Sequence, residues 1–301
     1  MWAKRLLRNT WIFAAIMLAV VALFSWILAS SAFGYEFLTG ATAHEKMIYP
    51  IVRVTTGQAG GSGTLVYSKP VNDPATQGKY STYVLTNFHV IAGAISRTSE
   101  WDSDLKKNVQ VEHRGTVYVE IFQYRGVSTT IGVLKVESDI AVYNENEDMA
   151  LLHLRTEKQI KNIADIAIPG SVPELVVMSP TVAVGCSLLF PPLPTTGILT
   201  RLNLLVYSLP YHMSSSQIIY GNSGGAMFVG DTGRFIGIPS LVAVAGWSTP
   251  ITHMGLFIPI ERICTWLKKQ HYQFIYDGKY TEKVCLEDRE KDIAAKVKKD
   301  K

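Results

Sequence analysis

Gly221-Asn222-Ser223-Gly224-Gly225 places a serine hydroxyl in backbone that a substrate can approach closely. A serine alone is a weak nucleophile. It needs a base to take its proton and hydrogen-bond donors to hold the oxyanion that forms. Gly224 and Gly225 leave room for an acyl group. Gly221 permits a turn that aims the Gly221 and Ser223 amides at one point. The same pentapeptide also fits a tight turn between two strands. A histidine and a carboxylate on rigid supports decide between nucleophile and plain turn.

Upstream, Tyr83-Val84-Leu85-Thr86 is a short apolar strand running into Asn87-Phe88-His89-Val90. A strand end is a rigid platform, and a general base must be held within hydrogen-bond reach of its serine. The chain has seven histidines, so His89 draws its weight from this setting rather than from its type. Two carboxylates compete for the third role. Asp148 precedes the apolar run Met149 to Leu154, whereas Asp139 lies inside the alternating stretch Ser138 to Val142. The clean strand after Asp148 favours it. A carboxylate there would fix the imidazole tautomer and stabilise the imidazolium. The order His89, Asp148, Ser223 is that of chymotrypsin, not of subtilisin or the α/β-hydrolases.

Working outward, the chain reads as all-β. Strands are predicted at Ile48–Val54, Thr64–Tyr67, Tyr83–Thr86, Thr116–Tyr124, Gly132–Val142 and Met149–Leu154. A second set follows at Glu174–Met178, Thr181–Val184, Gly197–Leu205, Gly224–Val229, Arg234–Ile238 and Met254–Ile258. Many short strands with turn signals predict an antiparallel barrel or sandwich. Residues 93–115 are polar and read as an irregular surface excursion. Ile260, Ile263, Trp266 and Leu267 recur at helical spacing, which predicts one helix over 260–270 packed on the strands. Residues 277–301 carry dense charge of both signs and read as a solvated helix or a frayed tail.

The bulk numbers exclude several classes. Hydrophobic residues make up 48% and charged residues 18% of 301, so the chain is globular with ample material for a core. The net charge of +4 is mild and partly terminal, so no nucleic-acid partner is expected. Cys186, Cys264 and Cys285 lack metal-ligand spacing. No metal or cofactor is therefore expected, and Cys264 and Cys285 are left as a bridge or as free thiols. Lys4, Arg5 and Arg8 form a basic flank over residues 1–10, followed by an uncharged apolar run over 11–33. That run suffices for the ~20 residues of a membrane-spanning helix. The flank predicts an N-inside orientation, with the rest of the chain periplasmic or extracellular. Ser30-Ser31-Ala32 keeps a cleaved signal peptide open, which would make the chain secreted. Residues 34–46 read as a linker and 47–276 as the globular domain.

At this point the chain resembles the chymotrypsin-fold serine proteases, in their Deg/HtrA-type trypsin-like branch. The matching stretches are Gly61-Ser62-Gly63-Thr64, Leu85 to Val90, Glu147 to Leu152, Gly221 to Ala226, and Gly255-Leu256-Phe257-Ile258-Pro259. They run in the family's order and cover most of the globular chain. The resemblance implies two packed six-stranded antiparallel barrels, about 47–155 and 156–259, with the active site between them. It also implies an oxyanion hole formed by the Gly221 and Ser223 amides, with Asn222 as a further candidate. Residues 271–301 are too few for the PDZ domain that members of the branch often carry. A homo-oligomer is implied only by family analogy.

By the same resemblance, the pocket for the side chain before the scissile bond maps to Gln217–Tyr220, Ile238–Val242 and His253–Phe257. Its candidate lining is Gln217, Ile218, Ile238, Ser240 and His253. No carboxylate lies at its base, which argues against strict Lys or Arg preference and for small or medium aliphatic residues. His253 either enters the pocket, favouring acidic or amide side chains, or faces solvent. Ser214-Ser215-Ser216, after His212, reads as a mobile gating loop or a plain surface loop. The expected activity is that of a membrane-anchored endopeptidase acting on protein or peptide, with a role in protein quality control as one option. The alternatives are a non-catalytic chaperone on the same fold and a processing protease of narrow specificity.

Overall fold

The computed structural model describes residues 16–22, 36–57, 59–71, 78–104, 106–170, 175–246 and 249–299. The chain divides into two units, Met1–Glu36 and Phe37–Lys301. In the first, residues 16–22 are helical and exposed. The remainder of the apolar run over 11–33 lies outside the described residues. Among the described residues, no helix is long and apolar enough to cross a membrane.

Among the described residues, the second unit holds fourteen strands. The first barrel closes in the order β1-β2-β3-β8-β7-β6. Its strands are β1 (Ile51–Thr55), β2 (Gly60–Pro70), β3 (Tyr80–Thr86), β6 (Val117–Arg125), β7 (Thr129–Asn144) and β8 (Met149–Leu154). The second closes as β10-β11-β14-β13-β12-β9. Its strands are β9 (Pro180–Gly185), β10 (Leu193–Val206), β11 (Leu209–Ser214), β12 (Ala226–Val229), β13 (Phe235–Ala245) and β14 (Thr249–Pro259). Closure removes the free edges that an open sheet would present.

Three apolar clusters explain why several strands read as continuous rather than alternating. Ala150, Leu152 and Leu154 of β8 point into the first barrel with Val52, Val84 and Val119. Their neighbours Met149 and Leu151 point the other way, into a cluster shared with Val184, Phe228 and Ile258 of the second barrel. A strand buried on both faces carries no polar alternation. The second barrel has its own interior, including Ala183, Leu199, Met227 and Phe257.

Four segments differ from the sequence reading. Residues 95–114 are a regular hairpin, β4 (Ile95–Asp102) paired with β5 (Lys107–Arg114). Both its faces are largely exposed, so it lacks the apolar alternation that reveals a strand. It rests on β7 by polar contacts, with Arg97 donating to Tyr143 Oη at 3.2 Å and Arg114 to the Ile140 carbonyl at 2.9 Å. The linker is partly helical over Gly40–Ala43 and His44–Ile48, and Leu38 N–H donates to the Gly230 carbonyl at 2.8 Å. Residues 175–178 form a turn, not a strand, with Met178 at φ 79°. Thr181, Ser214 and Ser216 share a buried hydroxyl network at 2.7 and 2.9 Å, which ties down the serine-rich loop.

A four-residue helix α1 (Phe88–Ile91) follows β3, and after β14 come helix α2 (Ile260–Lys269) and the charged helix α3 (Glu282–Lys299). Ile263, Trp266 and Leu267 bury one face of α2, as their spacing predicts. The tail is docked, not frayed. Glu282 accepts from Ser81 Oγ at 2.6 Å and Tyr83 Oη at 2.7 Å, and Arg289 donates to Tyr272 Oη at 2.7 Å. Cys186, Cys264 and Cys285 are buried free thiols, so no Cys264–Cys285 bridge forms. Burial pushes the Cys186 and Cys264 thiols up to about 12, which removes them as nucleophiles near neutrality.

Candidate active site

Strand β3 delivers His89 through the four-residue helix α1 (Phe88–Ile91). Asn87 before it has extended backbone and sends its side-chain amide to the Asp148 carbonyl at 2.8 Å. His89, the second residue of this helix, therefore lies beside the β7–β8 turn. Its Nδ1 lies 2.9 and 3.0 Å from the two carboxylate oxygens of Asp148, and its backbone N–H donates to Oδ1 at 3.1 Å. A carboxylate only accepts, so Nδ1 carries the proton and Nε2 is left with its lone pair. The ring is 48% exposed while the Asp148 side chain is 19% exposed. The imidazole is thus open to solvent and its carboxylate partner is shielded.

Asp148 sits at φ 54°, a left-handed conformation that Asp tolerates better than most residues. The turn is fastened on three sides. Glu147 N–H donates to Asn144 Oδ1 at 3.1 Å. Arg262 of α2 grips Glu147 Oε2 at 2.5 and 3.2 Å, donates to the Pro210 carbonyl at 3.1 Å, and lies over the Tyr211 ring. Ser240 of β13 donates to Asp148 Oδ2 at 2.6 Å. The carboxylate thus lies between the barrels, with His89 on one side and Ser240 on the other.

Ser223 is half-buried at the mouth of the second barrel. Its carbonyl accepts from Ser62 N–H at 2.8 Å. Gly224 has φ 82°, and a Cβ there would fall 2.2 Å from the Ser62 carbonyl and from Thr86 Oγ1. Gly221 has φ 97°, and its Cβ would fall 2.4 Å from the Cys186 carbonyl. Both positions exclude any side chain. Asn222, Gly224 and Gly225 spend their amides on the Ile219, Pro239 and Asn222 carbonyls. Among the described residues, the Gly221 and Ser223 amides donate to nothing, as an oxyanion site requires. Asn222 is buried, its Oδ1 accepts from Ser187 Oγ at 2.8 Å and Ile219 N–H at 3.2 Å, and its Nδ2 has no partner among the described residues. No hydrogen bond joins Ser223 Oγ to His89 among the described residues; such contacts often tighten only when substrate binds.

The predicted pocket residues do not converge. Ile218 is buried in the interior of the second barrel, against Gly255. Ile238 is fully buried in the cluster between the barrels and offers no surface to a ligand. Ser240 is committed to Asp148. Gln217 and His253 are exposed, so His253 takes the solvent-facing alternative. Asp139 is bound to Arg155 at 2.6 Å, and that guanidinium holds its carboxyl below the usual range. The sequence reading gives Ser62, Asn87 and Arg262 no supporting role; their contacts reveal it, Ser62 and Arg262 across the barrel seam and Asn87 within the first barrel.

The family model described as trypsin-like peptidase domain matches residues 61–238, more than half of the chain. The chain belongs to the trypsin-like peptidase family. It is a serine endopeptidase by that membership. No curated protein matches it. Among solved structures, Deg5 is similar at 18% identity and a TM-score of 0.51, over 74% of this chain and 90% of that one. The HtrA-type protease AlgW with tripeptide is similar at 18% identity and a TM-score of 0.53, over 79% of this chain. This trypsin-like peptidase spans 64% of the AlgW chain's length. At such identities the likeness is one of fold.

Proposed function

We propose that this peptidase hydrolyses peptide bonds through an acyl-enzyme on Ser223. His89 Nε2 takes the Ser223 proton as Oγ attacks the carbonyl carbon, and Asp148 stabilises the resulting imidazolium. The Gly221 and Ser223 amides hold the tetrahedral oxyanion. The C–N bond then breaks, His89 protonates the leaving amine, and water repeats the sequence to release the acyl group. The single observation that carries this reading is the His89–Asp148 contact at 2.9 Å, reinforced from the opposite barrel by Ser240. A fold retained only for binding has no need of a second barrel's hydroxyl on that carboxylate. The test is turnover of casein and of a peptide library, beside Ser223→Ala. Cleavage that persists in Ser223→Ala refutes it, and binding without cleavage favours the chaperone alternative.

The proposal extends to location. The basic flank at Lys4, Arg5 and Arg8 and the uncharged run over 11–33 support an anchor with the peptidase on the extracytoplasmic side. Substrates are then proteins or peptides met there, damaged or unfolded chains among them. N-terminal sequencing of the membrane fraction tests the anchor: a mature start near Phe33 replaces it with a cleaved signal.

A further inference from the structure

Ser62 lies on β2 of the first barrel and is fully buried, yet its polar groups serve the other barrel and the histidine strand. Its N–H donates to the Ser223 carbonyl at 2.8 Å. Its hydroxyl donates to the Gly221 carbonyl at 2.5 Å and accepts from Cys186 N–H at 2.7 Å. Its carbonyl accepts from Thr86 Oγ1 at 2.7 Å, just upstream of His89. These three groups make four hydrogen bonds, and none is spare.

Gly221 is the residue whose orientation matters most and whose backbone is freest. The Gly221 N–H belongs to the peptide that carries the Tyr220 carbonyl. In a trans peptide the two point in opposite directions. Leu188 N–H holds the Tyr220 carbonyl at 2.8 Å and so turns the Gly221 N–H the other way. The next peptide is held by Ser62 through the Gly221 carbonyl. With both flanking peptides fixed, Gly221 is confined to φ 97°. The same hydroxyl also grips Cys186, at the start of the loop that carries Leu188. Losing it therefore loosens both restraints at once.

We infer that Ser62 is a positioning residue for the oxyanion hole, setting the Gly221 amide from the opposite barrel without touching substrate. This rests on Ser223 being the nucleophile. It couples barrel docking to catalysis, because the hole is assembled only when β2 meets the Gly221–Ser223 turn.

The test is Ser62→Ala in the full chain, with rates expressed per active site titrated by a fluorophosphonate. Removing one oxyanion donor outright costs about 10²–10³-fold in kcat. Loosening it should cost about 10- to 100-fold in kcat. KM should stay within about twofold, because ground-state contacts are untouched. A peptide aldehyde, whose adduct on Ser223 places its oxygen in the hole, should lose affinity in step with kcat. A merely structural role would lower the titratable fraction and leave kcat per site and aldehyde affinity unchanged, which overturns the inference. If Ser62→Ala does not fold, Ser62→Cys keeps the volume with a weaker donor. It should then show an intermediate kcat, and a wild-type kcat per site overturns the inference. No Ser223-dependent labelling in the unsubstituted chain overturns the nucleophile reading and this inference with it. Normal labelling there with unchanged kcat in Ser62→Ala overturns this inference alone.

Discussion

Asp139 and Asp148 stand on the same hairpin, β7–β8, and the two meet opposite fates. Asp139 faces outward beside His153 in the strand register, 54% exposed and answered by Arg155. Asp148 closes the turn, shielded, with donors arriving from His89 and from Ser240 across the seam. Arg155 gives Asp139 a formal charge partner, whereas Asp148 has hydrogen-bond donors and one titratable ring. A guanidinium that is always charged locks a carboxylate in place. An imidazole can gain and lose a proton against it, which is what general-base chemistry requires. The difference lies in what the second barrel brings to each carboxylate.

The comparison breaks most sharply at Asp148→Asn. The amide would stabilise the wrong imidazole tautomer, so kcat should fall by about 10⁴-fold, while Asp139→Asn stays within about twofold. Steady-state kinetics on one peptide substrate checks both, and an exchange of the two outcomes would transfer the role to Asp139. Next comes Ser240→Ala. Losing one hydrogen bond to a charged group costs about 1.5 kcal/mol, or about tenfold in kcat/KM. An unchanged kcat/KM would show that Asp148 needs no help from β13. Third, Arg262→Met should remove the grip on Glu147 while keeping most of the packing on Tyr211. Urea denaturation should then show a loss of about 1–3 kcal/mol, since a charged, mostly buried hydrogen-bond partner is gone. Equal stability would mean that the turn holds itself.

The smallest effect concerns pH. Burial pushes His153 below its ordinary value, against the opposing pull of Glu282 and Asp139, and burial does the same to His212. In the unfolded chain each titrates at about 6.5. Below that pH the unfolded state binds more protons, so stability falls as pH drops from about 6.5 toward the folded values. Melting curves between pH 7 and 5 should show this decline, and His153→Gln should flatten it. A steeper decline in that variant would contradict the sign.

The barrels and the pairing of His89 with Asp148 were legible because they leave periodic or positional marks. Met149–Leu154 is apolar throughout because it faces two cores, and that run is what singled out Asp148. The hairpin over 95–114 left no such mark, because both its faces meet solvent. The docking of helix α3 was hidden for a related reason: it runs through Glu282 and Arg289, whose charges read as solvated. The pocket was the least readable part. Ile218 and Ile238 are apolar wherever they point, and only the fold shows that both point into cores. Ser62 and Ser240 are ordinary buried serines in sequence, and their use depends entirely on a seam between segments far apart in the chain.

We propose Ser223 as a nucleophile activated by a His89–Asp148 pair that Ser240 of the second barrel completes. A fluorophosphonate labelling time course on the unsubstituted chain, Ser223→Ala, Asp148→Asn and Asp139→Asn measures it directly. Labelling should be full in the unsubstituted chain and Asp139→Asn, strongly slowed in Asp148→Asn, and absent in Ser223→Ala. Labelling that survives in Ser223→Ala, or that slows in Asp139→Asn instead of Asp148→Asn, would contradict it.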